Sequence, residues 1–419
     1  MLDLRFIRKN PKIVKEGCQK KQVKIDVDKV LELDKKNRNL LKEIEKIRAE
    51  KNKISKEIPK MEEKEKKEMI LKMKVLDKKE KDLEKERKEV EKDLNELLSL
   101  IPNLPLDEVP VGKDESQNVI LREVGKKPEF DFRSKDYLEI AQNLDLIDVK
   151  RAAKTSGTRF GYLKRELVLM EFALIKLAFD NLTREGFIPV LPPVMLKKEM
   201  AKGTGYFEAT DIKEAYFLPE DELFLIGTAE QSLLTMHADE VFEEKELPRR
   251  YVGFSTCFRR EAGSYGKDTR GIFRVHQFDK VEMFSFCKPE KSREEHHYFL
   301  SLEEKLMQAL KIPYRVVNVC TGDLGRPAAA KYDIEAWFPS ENRYRETHST
   351  SNCTDFQARR LNIKYRDKSG KLNFVHTVNG TAFSQRPLLA IIENYQKRDG
   401  SVEVPEALQK YLGFKEIRR

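Results

Sequence analysis

The segment from Cys257 to Glu282 contains residues whose types and spacing suit the binding of a nucleotide. Arg259 and Glu261 come at the end of one predicted strand, and Phe278 lies on the strand that returns. An arginine can donate two parallel hydrogen bonds to a phosphate, and an aromatic ring can stack on a base. Because residues two apart in a strand share a face, we expect Arg259 and Glu261 to point the same way. The pattern predicts a nucleotide cradle, with an ordinary hairpin carrying surface ion pairs as the alternative.

Short strands and one long helix are predicted around this cradle. Residues Leu163–Leu182 carry apolar side chains at helical spacing, and Gly186 ends the run. The predicted strands are Ile188–Leu191, Leu223–Ile226, Arg250–Ser255, Lys280–Phe286, Tyr314–Val319 and Tyr332–Trp337. Turns, and not regularly alternating helices, separate these strands, so we expect an α+β domain on an antiparallel sheet flanked by helices.

The first hundred residues have a different pattern, with two apolar seams at heptad spacing. One seam covers residues 30–58 and the other residues 69–97, with Pro59 and a charged connection between them. Proline beside a short polar connection allows the chain to reverse, which predicts an antiparallel helical hairpin, a coiled coil. Four seam positions are polar and would weaken the hairpin while fixing its register. They are Asn37, Lys51, Glu80 and Arg87.

The net charge of +9 is concentrated in the same region. The first 99 residues carry eight more cationic than anionic side chains, whereas the remainder is close to neutral. A basic arm can attract a polyanion such as a nucleic acid, in a salt-dependent way. A purely structural coiled coil with a lysine-rich, solvated surface is the alternative.

The composition argues against a membrane protein, a secreted protein and a disulfide-rich or zinc-binding framework. The chain has 419 residues, enough for two or three domains, and 37% of them are charged. No apolar run approaches the ~18 residues that span a bilayer, and the N-terminus lacks the features of a signal peptide, so we expect a cytosolic protein. The five cysteines are far apart without a C-x-x-C pair, which favours reduced, buried thiols over a zinc or disulfide framework.

Three motifs, in order along the chain, resemble the signatures of class II aminoacyl-tRNA synthetases. Gly186–Pro193 is similar to the first signature of that family, Arg259–Glu282 to the second, and Asn379–Asn394 to the third. Further segments resemble the seryl branch of the family, in its bacterial type, so that the resemblance covers the whole chain. These segments are Gly227–Glu230, Glu261–Ser264, Arg274–Phe278, Thr321–Leu324, Asp355–Arg360 and the N-terminal hairpin.

The resemblance implies an ATP-dependent ligase that activates L-serine as seryl-adenylate and transfers it to the terminal ribose of a tRNA. Such chemistry needs no protein nucleophile, because catalysis comes from positioning and from cationic charge near the phosphorus. Arg259, Arg386 and Mg²⁺ would supply that charge. His276 and His348 are therefore not assigned acid–base roles, and each is interpreted as a structural hydrogen-bonding residue.

The resemblance also implies an ATP site. Arg259 would hold the α-phosphate and Arg386 the γ-phosphate, while Phe278 would stack on the adenine ring and Glu261 would meet its amino group. Glu346 and Ser349 would be the metal ligands, because hard oxygen donors suit Mg²⁺. The full set implied for ATP is Arg259, Arg260, Glu261, Val275, Phe278, Glu346, Thr347, His348, Ser349 and Arg386.

A serine pocket is implied beside the ATP site. Glu282 would face the substrate ammonium, and Asn379 with Thr381 would lie near the side-chain hydroxyl. The remaining implied members are Thr228, Ala229 and Glu230. A pocket built to hydrogen-bond a hydroxyl leaves its own polar groups unpaired when the hydroxyl is missing, so we expect strong rejection of alanine.

Partners and domains follow from the same resemblance. Residues 1–105 would form a tRNA-binding helical arm, and residues 106–419 the catalytic domain, which would also form a homodimer in which Pro193 lies near the interface. The tRNA would be tRNA(Ser), with tRNA(Sec) as a further candidate. Double-stranded RNA hides its bases in a deep groove, so recognition by shape and backbone contacts is expected. No membrane partner is expected.

Two departures from the family pattern bear on these expectations. The connection from Asn379 to Arg386 is expected to be a loop one residue shorter than is usual in the family, with Gln385 in place of a small residue or proline. Thr347-His348 precede Ser349 where serine-like residues are common. Three rival functions are a non-catalytic tRNA-binding paralogue, a synthetase for threonine or proline, and a coiled-coil scaffold. The intact set of charged site residues argues against the first, and the missing metal-ligand cluster against a zinc-dependent threonine site.

Overall fold

A computed structural model describes residues 1–207, 211–262 and 270–419. The chain forms two compact units, residues 1–102 and 103–419. The helices of the first unit are α1 (Leu4–Lys9), α2 (Pro11–Lys20), α3 (Val27–Glu57) and α4 (Glu63–Leu100). The helices of the second are α5 (Tyr137–Asn143), α6 (Val149–Ser156), α7 (Glu166–Arg184), α8 (Lys198–Gly203), α9 (Ala229–Thr235), α10 (Ser292–Ala309), α11 (Phe356–Arg360), α12 (Gln385–Asn394) and α13 (Glu406–Gln409).

The strands all lie in the second unit. They are β1 (Val119–Val124), β2 (Ile147–Asp148), β3 (Tyr162–Leu163), β4 (Ile188–Val190), β5 (Met195–Lys197), β6 (Phe217–Leu218), β7 (Leu223–Leu225), β8 (Val241–Glu243), β9 (Arg249–Phe258), β10 (Gln277–Cys287), β11 (Tyr314–Asn318), β12 (Ala330–Phe338), β13 (Arg343–Thr354), β14 (Lys364–Arg366), β15 (Leu372–Phe374), β16 (His376–Ser384), β17 (Val402–Glu403) and β18 (Glu416–Ile417). Short 3-10 helices cover Ile58–Lys60, Glu115–Gln117, Asp211–Glu214, Glu244–Glu246 and Pro289–Lys291.

The first unit is a hairpin of two long helices, as the heptad seams predict. The buried side chains follow the predicted seam along α3, where they include Val30, Leu33, Leu40, Ile44, Ile47 and Ile54. On α4 the seam residues Glu80, Val90 and Leu94 are buried, with Leu98 in place of the predicted Leu97. Ion pairs join Lys36 to Glu86 at 2.8 Å, Arg48 to Glu80 at 2.7 Å and Lys72 to Glu50 at 2.6 Å. Residue numbers rise on one helix as they fall on the other, so the helices are antiparallel.

Two of the predicted polar seam residues meet in this hairpin. Lys51 Nζ lies 2.8 Å from Glu80 Oε2, and Arg48 donates to the other oxygen of the same carboxylate. The Glu80 carboxylate is therefore satisfied by two cations inside the seam. Lys51 and Glu80 face each other in only one register of the two helices, so the pair fixes the register. It adds little stability, because both cations keep contact with water.

The second unit is organised around an eight-stranded sheet in the order β1-β11-β12-β13-β16-β10-β9-β4. Every neighbouring pair is antiparallel except β4 and β9. One face of the sheet is apolar and packs with α7, α10 and α12 into the main core. The predicted α+β class on an antiparallel sheet with flanking helices is confirmed.

Strands β9, β10 and β12 are longer than predicted, β4, β7 and β11 are each one residue shorter, and two central strands were not predicted at all. β13 and β16 contain the sequences RYRETHSTSNCT and HTVNGTAFS, which lack the apolar runs used to find strands. Seven of the nine residues of β16 and half of those of β13 are buried, although most of the side chains in both strands are polar. A strand whose side chains are mostly polar lacks the apolar pattern that predicts a strand, so the sequence analysis missed these two.

All five cysteines are buried and unbridged, as predicted. Among the helices of the described residues, none combines the length and apolar character that a membrane span requires.

Candidate active site

The polar face of the large sheet brings most of the predicted site residues together. Opposite residues of an antiparallel pair point to the same face, so strand register shows which side chains are neighbours. Lys280, Glu282 and Phe284 of β10 lie opposite Ser384, Thr381 and Asn379 of β16. On the next strand, Ser351 lies opposite Asn379. Beyond it, Lys331, Asp333 and Glu335 of β12 lie opposite Ser351, Ser349 and Glu346.

A β-bulge in β13 aligns the two predicted metal ligands. Glu346 and Ser349 are three residues apart, so in a regular strand they would point to opposite faces. The register shifts between Ile334 and Glu335, which leaves Thr347 as the extra residue. Glu346 then pairs with Glu335 and Ser349 with Asp333, which share a face. Glu346 and Ser349 therefore lie on the same side of the sheet.

A second bulge in β16 does the same for the predicted serine site. Val281 pairs with Phe383 and Glu282 with Thr381, so Ala382 is the extra residue. The shift keeps Thr381 and Asn379 beside Glu282 and also turns Ser384 to the same face.

The segment from Asn379 to Arg386 is not a loop, and that prediction is wrong. It runs as β16 to Ser384 and passes directly into α12, with Ser384 at the helix N-cap position. The reason is that the strand pairs along its length with β10, and through Gly380 with β13, so its polar residues belong to a sheet and not to a turn.

Arg386 and Glu346 form an ion pair at one end of this face. Nη1 of Arg386 lies 2.9 Å from Oε2 of Glu346 and donates also to its backbone oxygen at 3.1 Å. Desolvation by surrounding atoms works to raise the pKa of Glu346, but the cations Arg386, Lys331 and Arg259 outweigh it and hold the pKa at about 2. The carboxylate is ionised, and 43% of its side-chain surface is accessible, as for a group deep in an open groove.

Arg259 is also held in place by contacts near this polar face. Its Nε donates to the backbone oxygen of Gly227 at 3.0 Å, and its guanidinium lies 5.3 Å from the centre of the Phe278 ring. Phe278 lies opposite Cys257 in register, on the face that carries Lys280 and Glu282. The predicted pairing of a phosphate-binding cation with an aromatic ring is present in the geometry.

Glu261 reaches its place by a route that the strand argument did not foresee. β9 ends at Phe258, and Glu261 has a φ of 51°, so alternation along a strand does not apply to Arg259 and Glu261. Arg274 Nη1 donates to Glu261 Oε2 at 2.8 Å instead. The returning strand β10 begins at Gln277, and residues Gly263 and Ser264 of the predicted motif lie outside the described residues.

Glu230 and Glu282 form an acidic centre on the β10 side. Tyr206 Oη donates to Glu230 at 3.1 Å and Gln357 Nε2 at 2.8 Å, while Lys280 Nζ lies 2.5 Å from Glu282. Burial, followed by the charge of Glu282, raises the pKa of Glu230 to about 7, and burial also raises the pKa of Glu282. A buried pair of this kind favours a bound cation, which would offset the repulsion.

Thr228 and Ala229 position this centre. Thr228 is the N-cap of α9 and Ala229 its first residue, both buried. Lys280 Nζ donates to Thr228 Oγ1 at 3.3 Å, which ties the helix start to the sheet. Glu230 is thereby fixed in the first turn of α9.

Three of the predicted residues present no side chain to the groove. His348 pairs with Ile334 on the apolar face, and burial lowers its pKa to about 3. Thr347 is buried at the bulge and donates to the Ile334 oxygen. Val275 is also buried. Contacts of Thr347 and His348 with a nucleotide would therefore use backbone atoms.

The predicted structural role of His276 agrees with its contacts. Its Nδ1 lies 3.0 Å from the backbone oxygen of Arg259, and its own backbone oxygen accepts from the Arg259 N–H. These two contacts fix the backbone that carries Arg259.

Several residues at the site were not predicted from the sequence. Lys280 pairs with Glu282, Tyr206 and Gln357 hold Glu230, and Phe273 packs against the Arg386 guanidinium at 4.9 Å. Gln357 stands in one of the quoted motifs and Lys280 in the second signature, so a signal existed for both. Tyr206 carries no local signal, because only the tertiary fold brings it to α9.

The groove suits one hard divalent cation. Glu346 offers an ionised carboxylate and Ser349 a half-buried hydroxyl on the same face. Within the described ranges no three His, Cys, Asp or Glu side chains group as a protein-only metal site. Two protein oxygens fit a magnesium ion that takes its other ligands from phosphates and water.

Protein-family models match both the N-terminal and the C-terminal part of the chain. Residues 216–395 match the tRNA synthetase class II core domain (G, H, P, S and T), and residues 1–105 match the seryl-tRNA synthetase N-terminal domain.

Individual relatives extend over the full length. The serine–tRNA ligase of Dictyoglomus turgidum is 47% identical, covering 100% of this chain and 99% of its own. The seryl-tRNA synthetase of Pyrococcus horikoshii, solved in complex with ATP, has a TM-score of 0.93 and 43% identity over 100% of this chain and 99% of that chain. The cytoplasmic serine–tRNA ligase of Naegleria fowleri, in complex with AMP, has a TM-score of 0.87 and 36% identity, with coverage of 100% and 99%.

Proposed function

The chain belongs to the serine–tRNA ligase family, and from that premise we propose how its own residues carry out the reaction. It is an ATP-dependent ligase that forms aminoacyl-tRNA. The observation that supports the residue roles best is the continuous polar face from Glu230 and Glu282, past Arg259, to Glu346 and Arg386. Its acidic end suits the ammonium of an amino acid, and its cationic end suits a triphosphate.

ATP binding is proposed for the cationic end. Phe278 stacks on adenine, Glu261 accepts from the adenine amino group, and Arg259 binds the α-phosphate. Arg386 binds the γ-phosphate, for which it must turn from Glu346. Glu346 and Ser349 would hold Mg²⁺, which supplies charge neutralisation on the phosphate oxygens when bound. Arg260, Val275, Thr347 and His348 complete the proposed ATP site, the last two through backbone atoms.

Serine binding is proposed for the acidic end. The substrate ammonium takes a place between Glu230 and Glu282, with Lys280 shifting from Glu282 toward the substrate carboxylate. Thr381 and Asn379, which flank Gly380 in β16, face the serine hydroxyl. Thr228 and Ala229 line the start of α9 beside it.

The chemistry follows from this placement. A serine carboxylate oxygen attacks the α-phosphorus, a P–O bond forms, and the bond to the pyrophosphate oxygen breaks. Negative charge grows on the α-phosphate oxygens, where Arg259 lies, and on the leaving pyrophosphate, where Arg386 lies. A terminal ribose hydroxyl of tRNA then attacks the acyl carbon and AMP leaves. The groove brings reactants into line, and no side chain forms a covalent bond.

The two predicted domains receive separate roles in this proposal. Residues 1–105 form the tRNA-binding arm, because their hairpin carries the excess of positive charge, and residues 106–419 form the catalytic domain. The acceptor is tRNA(Ser), with tRNA(Sec) as a further candidate substrate. A salt-dependent tRNA affinity is expected because phosphate contacts dominate.

A homodimer in the cytoplasm is also proposed. Leu169 and Phe172 on α7 are 51% and 60% exposed, and Leu191 after β4 is 78% exposed. These apolar side chains suit burial against a second copy of the chain, and Leu191 is two residues from the proposed interface residue Pro193.

Pyrophosphate exchange into ATP with each of the twenty amino acids, with Mg²⁺ and without tRNA, tests the proposed site. Exchange with serine alone is the expected result. Exchange with threonine or proline would overturn the serine pocket, and silence with every amino acid would favour the tRNA-binding paralogue.

A further inference from the structure

A carboxyl group is buried behind the proposed serine pocket with no role in the chemistry described above. Glu303 lies on α10, which packs against β16, and none of its surface is exposed. Among the described residues neither of its carboxyl oxygens makes a hydrogen bond of normal geometry. Burying a polar group without a partner costs free energy, so such a residue calls for an explanation.

Glu303 occupies a slot beside Gly380 that a larger residue at position 380 would narrow. A Cβ atom at Gly380 would lie 3.1 Å from Glu303 Oε1 and 3.2 Å from atoms of both Met283 and Phe299. The carboxyl therefore rests against the bare backbone of β16 on its apolar side. Gly380 is opposite Met283 in register, which confirms that this side faces the core.

The slot is directly behind two proposed serine-binding residues. Asn379 and Thr381 flank Gly380 and point to the other face, beside Glu282. The β16 bulge begins here, with Ala382 as the extra residue, so the paired backbone is interrupted where Thr381 must be held.

The surroundings of the carboxyl favour its neutral form. Burial, followed by the negative charges of Glu282 and Asp333, raises the pKa of Glu303 well above its usual range, while Lys280 and the backbone N–H of Thr381 act in the opposite direction. The Thr381 N–H thus interacts with the carboxyl, although the contact does not reach a full hydrogen bond. A neutral acid both donates and accepts, which suits support of an interrupted strand.

We propose that Glu303 is a positioning residue that supports the Gly380–Thr381 backbone, next to the bulge at Ala382, from the core side and so sets the place of the Thr381 side chain in the amino-acid pocket. The inference rests on the proposed serine site. It assigns to Glu303 a specific effect on serine binding, in addition to its place in the core.

Glu303→Met separates this role from simple packing. Methionine has a similar volume and suits the contacts with Met283 and Phe299, and it removes an unpaired polar group, so the thermal midpoint should rise or hold. The KM for serine in pyrophosphate exchange should nevertheless increase about tenfold, because the pocket backbone loses its support, while the KM for ATP should stay within about twofold. Glu303→Gln, a neutral isostere, should restore the serine KM to nearly that of the unchanged protein.

Glu304→Gln is the matched control. Glu304 is the next residue on α10, but its carboxylate pairs with Arg122 and Tyr314 away from the pocket. This change should leave both KM values unaltered. Gly380→Ala is a second test, since the Cβ of alanine would displace the carboxyl and the KM for serine should rise. In the double variant with Glu303→Met, the KM for serine should rise little further than in either single variant.

The outcomes are distinct. A raised thermal midpoint with an unchanged serine KM in Glu303→Met would overturn the proposal, as would equal increases in the serine and ATP KM. If the unchanged protein shows no serine-dependent exchange, the proposed serine site is wrong. The contact between Glu303 and Gly380 can then still be tested by thermal unfolding of Glu303→Met, Gly380→Ala and the double variant. Fully additive effects on the thermal midpoint would contradict the contact.

Discussion

Nη1 of Arg386 lies 2.9 Å from Oε2 of Glu346, across 40 residues of chain. Glu346 reaches the arginine because the β13 bulge at Thr347 turns it onto the same face as Ser349. Arg386 reaches the carboxylate from the first turn of α12, which begins where β16 ends. The pair places a cation and an ionised carboxylate side by side at the proposed triphosphate site, where both would exchange partners on binding of nucleotide and metal.

Arg259→Ala should reduce serine-dependent pyrophosphate exchange by at least about 100-fold, because Arg259 supplies charge to the α-phosphate as the bond forms. The measurement is exchange at saturating serine and ATP. Arg249→Ala is the control, since Arg249 lies at the other end of β9 and contacts Tyr251. Exchange close to that of the control would show that Arg259 does not act on the phosphorus.

Serine affinity should depend on pH through Glu230, whose pKa is raised to about 7 by burial and then by Glu282. Below this pKa the carboxyl is neutral and attracts the substrate ammonium poorly; above it the carboxylate attracts it. The KM for serine should therefore fall as pH rises through this pKa. The profile is measured from one pH unit below it to one unit above.

Glu230→Gln should abolish that pH dependence and keep the serine KM high throughout. Glu290→Gln, a change at an exposed glutamate, should retain the profile of the unchanged protein. A profile that survives in Glu230→Gln would assign the titration to another group, with Glu282 as the next to test.

Glu346→Gln should raise the Mg²⁺ concentration needed for half-maximal exchange, because the amide is a weaker ligand for a hard cation. It also leaves Arg386 without its carboxylate partner. A magnesium titration at fixed ATP provides the measurement, and Glu341→Gln, which alters a pair with Arg343 and Arg345, is the control. An unchanged magnesium requirement in Glu346→Gln would remove Glu346 from the proposed metal site.

Deletion of residues 35–94 removes most of the helical hairpin and should separate the two half-reactions. Serine-dependent exchange should be largely intact, since every proposed catalytic residue lies in the second unit. Transfer of serine to tRNA should fall severely because the basic arm is lost. Normal charging of tRNA by the shortened chain would contradict the arm's proposed role.

The local sequence pattern was sufficient for the elements with a single period. The heptad seams gave the antiparallel hairpin, and the helical spacing after Leu163 gave α7, because each depends on residues near one another in the chain. Motifs also led to Arg259, Phe278, Glu282 and Arg386, whose residue types suit phosphate, adenine and ammonium and whose roles stay predictions. Strands β13 and β16 were not predicted, because a polar segment without an apolar pattern is usually interpreted as a loop.

What the sequence determined by itself was the chemistry available: cations, carboxylates and an aromatic ring in the right order, and a basic helical hairpin. The tertiary structure decided which of these groups meet. One extra residue in β13 and one in β16 reverse the direction of every side chain beyond them, and no local pattern marks Thr347 or Ala382 as that residue. The bulges arise from pairing with β12 and β10, so they exist only once the sheet has formed.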